Sequence, residues 1–241
     1  MVLQLDPDDD EAEQKLRMAL ERRSARSIAA ALREYHNELR AGALAMEDDM
    51  RAAEYIAAYA HANQATRDAI VRAIMSGSDL GVATAAEQLA TVGIGMDWTL
   101  VNVDARDWAA RHAAEMISQL DDVTRRGVRQ AVTRWIDNGE PLDSLISDIE
   151  PLFGRARAER IAATEITNAY ASGNRIAYQE SGVVQAWEWR TAMDERRCPT
   201  CAGLEGRQTF FGGQFAPGIS QPPAHVGCRC WVVPVLKEMT T

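Results

Sequence analysis

The first 197 residues of this 241-residue sequence contain no cysteine; all four cysteines fall between Cys198 and Cys230. A disulfide framework would spread its bridges through the fold, so this crowding points away from a bridged secreted scaffold. Long apolar runs are missing too. Nothing approaches the roughly 18 consecutive apolar residues of a membrane helix, so no membrane span is expected. The opening Met1–Leu5, followed by Asp6–Pro7–Asp8–Asp9–Asp10, lacks the basic and apolar regions of a secretory signal, and an exported protein is not expected. No phosphate-cradling glycine loop and no serine-triad motif is present. Lysine is scarce, with only Lys15 and Lys237 among 26 basic residues, which together with abundant alanine reads as base composition rather than function.

What is present is an acidic chain of net charge −9 with 46% hydrophobic residues. That apolar content suffices for one large domain or two small ones. The net charge sets the chain as a whole against a nucleic-acid backbone, while leaving room for a local basic patch. Residues 151–241 carry ten basic and eight acidic side chains, so the acidic excess lies in the first 150.

Hydrophobic spacing predicts mostly helix. Leu16, Leu20, Leu32, Tyr35 and Leu39 trace one helical face up to Gly42, after an acidic start at Asp8–Glu11. A second helix is expected over 46–75, ended by Gly77–Ser78–Asp79, and a shorter one up to about Val92. Asp97–Val103 reads as extended, with Asp104 capping a helix that carries Trp108, His112, Ile117 and Leu120. Asp121 or Asp122 is expected to cap another, closing at Asn138–Gly139. Glu140–Pro141 opens a short helix, and 155–181 is a strong one stopped by Gly182. Then Val183–Arg190 alternates like a half-buried strand, and Cys230–Val233 reads as a closing strand ended by Pro234. Six glycines and three prolines between Ala202 and Gly227 argue against helices there. The expected fold is mainly α with a small C-terminal β-containing module (α+β): an N-terminal helical region 1–95, a central helical region 96–182, and a C-terminal small β module 183–241.

The chemistry-bearing residues are Cys198–Pro199–Thr200–Cys201 and His225–Val226–Gly227–Cys228–Arg229–Cys230. Two cysteines separated by two residues can bring both sulfurs to one ion, and zinc takes four such ligands in a tetrahedron. Five candidates for four places leave one surplus. The favoured set is Cys198, Cys201, His225 and Cys228, with Cys230 the substitute if His225 faces solvent. Four protein ligands close the coordination shell, so such an ion would be structural and would contribute folding energy to a glycine-rich segment. Reduced thiols without metal, or a redox pair, are the alternatives.

The same residues carry a resemblance. Asp97–Trp98–x–Leu100–Val101–Asn102, Trp108–Ala109–x–x–His112–Ala113 and Thr124–Arg125–Arg126 are followed by Arg157–Ala158–x–x–Ile161–Ala162–x–Thr164–Glu165, Asn174 and Trp189. Asp194–Glu195–Arg196–x–Cys198–Pro199–x–Cys201, Leu204–x–Gly206 and Pro222–Pro223–x–His225–x–x–Cys228–Arg229–Cys230 complete the series. In this order the chain resembles, from about Asp97 to Pro234, the phage head morphogenesis family, the minor head proteins related to the F protein of phage Mu. Val226 and Arg197 depart from the proline and threonine common in that family. The resemblance implies a virion component in the head interior or at the portal vertex, made in the host cytoplasm, needed for capsid assembly, DNA packaging or ejection, and not an enzyme. The implied partners are the portal protein, with the scaffold or major capsid protein and packaged DNA as further ones.

Other residues read more plainly. His112, four residues after Trp108, reads as a core histidine. Glu165, Asn168 and Asn174 read as a buried polar network fixing their helix against the C-terminal module. Asp194 is a candidate for orienting a ligand. Trp187 and Trp189 read as core, and Arg125, Arg126, Arg129 and Arg134 as a solvated helix face that is also the best positive cluster. The competing function class is a zinc-containing nuclease or other DNA-processing enzyme, although His36, His61 and His112 lie far from His225 in sequence.

Overall fold

The computed structural model describes residues 7–95, 98–191 and 198–237. Six helices come first: α1 (Pro7–Leu44), α2 (Asp49–Ala58), α3 (Gln64–Ala90), α4 (Trp98–Asn138), α5 (Leu142–Ile149) and α6 (Arg155–Glu180). Strand β1 (Val184–Arg190), the single turn α7 (Pro199–Ala202), β2 (Gln208–Phe210) and β3 (Trp231–Leu236) follow. The chain is thus mainly helical, with one small antiparallel sheet of order β2-β1-β3 near its C-terminal end.

Packing divides the chain into two compact units. One gathers residues up to Arg22, Ala73–Ala110 and the residues from Ala163 on; the other gathers Arg23–Arg72 and Arg111–Ala162.

Several helix boundaries differ from those the sequence predicts. On α1 the spacing holds for Leu32, Tyr35 and Leu39, which are buried, but Leu16 is 61% exposed and Arg17 is buried beside it. The helix expected over 46–75 is interrupted. Asp48 caps α2 by accepting from the Arg51 N–H at 2.8 Å, and Asn63 caps α3 by accepting from the Thr66 N–H at 3.0 Å. Conversely, α3 runs straight through Gly77–Ser78–Asp79. The glycines there serve close helix approach rather than termination: a Cβ on Gly81 would stand less than 3 Å from the Tyr170 carbonyl oxygen of α6.

Helix α4 begins at Trp98, where an extended segment was expected, and passes Asp104, Asp121 and Asp122 without a break. Val101, Ala105, Ala109, Ala113, Ile117, Leu120, Thr124, Val128, Ala131 and Trp135 are buried along it in steps of three or four. That period outweighs the strand-like look of Val101 and Val103. Asp121 is no cap. It is buried in the second unit, where it accepts from the Ala62 N–H at 2.6 Å and from Arg67 Nη2 at 2.8 Å. Asp121→Ala would strand both donors, and a stability loss of about 3 kcal/mol is expected in urea unfolding. Asp121→Asn, which keeps an acceptor for Ala62, should lose less.

The later predictions hold more closely. Gly139 (φ +64°) follows α4 and Gly182 (φ +66°) follows α6, the left-handed stops that glycine tolerates. Strand β1 pairs with β3 from Val184↔Leu236 to Arg190↔Trp231, and with β2 from Ala186↔Phe210 to Glu188↔Gln208. Pro234 does not end β3 but lies within it, opposite Trp187. An edge strand tolerates this, because one of its sides has no ladder to serve. Trp187 and Trp189 are buried, and Trp189 meets Phe215 edge-on at 5.1 Å. They share one core with Val82, Leu89, Val101, Tyr178, Leu204 and Val232, and with Cys201, Cys228 and Cys230. The sulfur-bearing segment is therefore part of the wall of the first unit's core.

Candidate metal centre

Two short segments deliver the candidate ligands, and each is fixed by its local chemistry. Pro199 opens α7 with its φ already helical, and Cys198 caps it: the Cys201 N–H donates to Cys198 Sγ at 3.3 Å. That amide–sulfur bond turns both sulfurs of the C-x₂-C pair to one side.

The second segment is held by a polar stripe on α6. Thr164 Oγ1 accepts from the Gly227 N–H at 3.0 Å, and Thr167 Oγ1 donates to the Cys228 carbonyl at 2.8 Å. Gln221 Nε2 donates to Asn168 Oδ1 at 3.1 Å and to Ser172 Oγ at 2.9 Å. Asn168 thus does what the sequence predicts of it, tying its helix to the C-terminal segment. Glu165 is buried; Asn174 is fully buried, and its side chain makes no hydrogen bond among the described residues.

The sulfurs and the imidazole converge. His225 Nε2 lies 3.2 Å from Cys198 Sγ and 3.2 Å from Cys201 Sγ, and Cys201 Sγ lies 3.8 Å from Cys228 Sγ. Cys201, Cys228 and Cys230 form a second close group, so Cys201 is common to both. A tetrahedral dication with metal–sulfur bonds of about 2.3 Å places its sulfurs about 3.8 Å apart, the separation seen here. The tautomer also fits. His225 Nδ1 is 2.9 Å from the Val226 carbonyl, so it is Nδ1 that carries the proton and donates, leaving the Nε2 lone pair facing the sulfurs. All five candidate residues are therefore brought into one cluster able to hold a metal ion. Cys201, Cys228 and Cys230 are buried and Cys198 is half-buried; His225 is exposed as a residue, but its Nε2 is turned to the sulfurs, so the condition for replacing it with Cys230 is not met.

The thiols already differ in acidity. The hydrogen bond from the Cys230 thiol, helped by backbone N–H groups, brings Cys228 down to about 5 against the effect of burial. Cys230 is pushed far up because its proton is the one donated, and burial adds to this. Burial and the neighbouring Cys228 thiolate push Cys201 up to about 12. The Cys201 N–H lowers Cys198. For His225, burial works against the charged ring, but the Val226 carbonyl and the Cys228 and Cys198 sulfurs outweigh it and raise the pKa. One thiolate thus suppresses the ionisation of its neighbours, a repulsion that a shared dication removes.

The remaining candidates lie elsewhere. Asp194, Asp97 and Arg197 fall outside the described residues. His112 is half-buried on α4. Arg125, Arg126, Arg129 and Arg134 are exposed; Arg125 is 3.5 Å from Asp122 and Arg134 3.3 Å from Asp148. No helix among the described residues is long and apolar enough to cross a membrane. Sequence reasoning missed Arg17, Thr167, Ser172 and Gln221. For Thr167 and Ser172 a signal existed: Thr164, Asn168 and Ser172 recur every four residues on an otherwise alanine-rich helix, with Thr167 three after Thr164 on the same face.

Comparison with known proteins places this arrangement in context. Residues 126–233 match the model of the family described as Phage Mu protein F like protein. The match covers somewhat less than half of the chain and includes all five cluster residues; the motifs quoted between Asp97 and Ala113 precede it. No curated protein and no solved structure matches the chain.

Proposed function

We propose that the chain, whose residues 126–233 match the Mu F-like family, is a non-enzymatic phage minor head protein whose C-terminal segment is locked by one structural zinc ion. The observation that carries this reading is the containment of a complete thiol–imidazole cluster inside the family-matched stretch. Cys198, Cys201, His225 and Cys228 are the favoured ligands. Four protein ligands leave no open position for a substrate or an activated water, which supports a structural rather than a catalytic ion. Among the described residues, the groups of Cys, His, Asp and Glu close enough to share a metal are the two that meet at Cys201, and neither contains a carboxylate.

The place of action is the virion, in the head interior or at the portal vertex, with the host cytoplasm as the site of synthesis. The portal protein is the proposed partner, with the scaffold or major capsid protein as further ones. The exposed Arg125, Arg126 and Arg129 are the proposed contact to packaged DNA. Mass spectrometry of purified particles tests the reading: the protein is expected in precursor or mature heads, and its absence from both would overturn it. Elemental analysis should find one zinc per chain. A divalent-metal-dependent cleavage assay with a His225→Ala control addresses the nuclease class; cleavage abolished by that substitution would replace this reading with it.

A further inference from the structure

The loop that carries Cys228 is gripped from a part of the chain outside the family-matched stretch. Arg17 on α1 is buried, 5.3 Å from the centre of the Tyr170 ring and 5.2 Å from that of Trp231. Its Nη1 donates to the Cys230 carbonyl at 3.2 Å and its Nη2 to the Arg229 carbonyl at 2.6 Å. One turn further along α1, Glu21 receives Arg229 in a two-pronged pair, from Nε at 2.9 Å and Nη2 at 2.6 Å. With Thr167 holding the Cys228 carbonyl, three successive carbonyls are turned toward helices.

The consequence lies in a single peptide group. The Arg229 carbonyl and the Cys230 N–H belong to the same planar unit and point in opposite directions. Pinning the carbonyl against Arg17 therefore fixes that peptide plane and, together with the Thr167 bond to the Cys228 carbonyl, the backbone from which the Cys228 thiol projects. A backbone held at three successive carbonyls orients the thiol that it carries, as outer-shell partners orient metal ligands. An apolar residue at position 17 could fill the space between two aromatic rings. Only a forked cation can also take two carbonyls there, and burying one costs desolvation that mere packing would not justify.

We propose that Arg17 is a positioning residue of the metal centre, setting the place of the Cys228 thiol by holding the Arg229 and Cys230 carbonyls, so that docking of α1 and metal binding favour each other. The inference rests on the metal reading above. By linkage, whatever metal occupancy adds to α1 docking, docking adds to metal affinity.

Competition titration of the full chain with zinc and with cobalt against a chelator is the test, on wild type, Arg17→Met and Arg17→Lys. Arg17→Met is expected to bind about 10–100-fold more weakly, with Arg17→Lys in between and a shifted thiolate-to-cobalt absorption band in both. Trypsin digestion of the wild type supplies the reverse arm: stripping the metal with a chelator should speed cleavage after Arg22, one turn from Arg17. Wild-type affinity in Arg17→Met, or cleavage at Arg22 indifferent to the chelator, overturns the proposal while leaving the metal reading intact. A wild type that takes up neither zinc nor cobalt overturns both. Should Arg17→Met fail to fold, Arg17→Lys and the digestion of the wild type decide.

Discussion

Serine in place of Cys201 is expected to leave the protein without bound metal and with its Cys198–Leu236 segment unfolded. Cys201 is the one residue shared by the two groupings of close ligands, so its loss leaves neither of them complete. A zinc site of this kind contributes an apparent ~10–16 kcal/mol to small metal-dependent folds. A whole domain is stable by only about 5–15 kcal/mol, so losing even part of that contribution decides whether the segment folds. The few strand residues here, three in β2 and six in β3, cannot compensate. Cys230→Ser should be far milder, because Cys198, Cys201, His225 and Cys228 all remain. Metal content and the fluorescence of Trp187, Trp189 and Trp231 report the two outcomes. A Cys201→Ser protein that retained one equivalent of zinc would refute the assignment. Because the sulfurs line the core of the first unit, α3 residues such as Val82 and Leu89 should loosen too. The second unit has its own buried set, including Leu32, Tyr35, Ile56, Val128 and Phe153, and should keep its helical signal.

The second large effect is expected from Gly81→Val. Helices α3 and α6 meet through Gly77, Gly81 and Gly173. A Cβ on Gly81 would lie less than 3 Å from the Tyr170 carbonyl oxygen, and one on Gly173 less than 3 Å from that of Ser78. Two effects oppose each other. Replacing a mid-helix glycine gains up to about 1 kcal/mol in helix propensity. Against this, the clash is with backbone, which cannot rotate away, so the helices must part and lose contact along their length. Overpacking of a yielding core costs about 1–3 kcal/mol, and an unyielding one more; about 4 kcal/mol is expected for valine. Metal affinity should fall as well, since Tyr170 forms one side of the slot that receives Arg17. Gly95→Ala is the control: nothing lies within 4 Å of that position, and a change within about 0.5 kcal/mol is expected. The difference would be measured as urea midpoints at equal slope.

These glycines also show where a sequence stops being readable. Gly77–Ser78–Asp79 has the composition of a helix stop, and only the backbone of α6 lying against it shows that it is a crossing point. The same limit applies to Asp121, whose sequence neighbourhood suggests a cap. Its actual partners, Ala62 and Arg67, are more than fifty residues away. What was legible is what depends on local physics. The left-handed stops at Gly139 and Gly182, the amphipathic α6 and the alternation in β1 all express interactions among near neighbours. The ligand set was legible for a different reason: the cysteines are confined to one short stretch, so their position is informative by itself. The supporting residues were less so. Thr167 and Ser172 look like ordinary helix-surface residues until the loop that they hold is in place. Arg17 gave no sign, because a cation on a helix is expected to face water and Leu16 was the better candidate for the interior.

Arg17 and its carbonyl acceptor on Cys230 are 213 residues apart in the chain. During synthesis, then, α1 is made long before the carbonyls of residues 229 and 230 that its buried cation binds. Closing a loop that long is entropically unfavourable and slow compared with forming a helix. A ribosome that stops short of residue 229 would release a chain whose Arg17 lacks the Trp231 ring and both of its carbonyl acceptors. Such a fragment lacks both features at once, because the same short segment completes the sulfur cluster and the seat of α1.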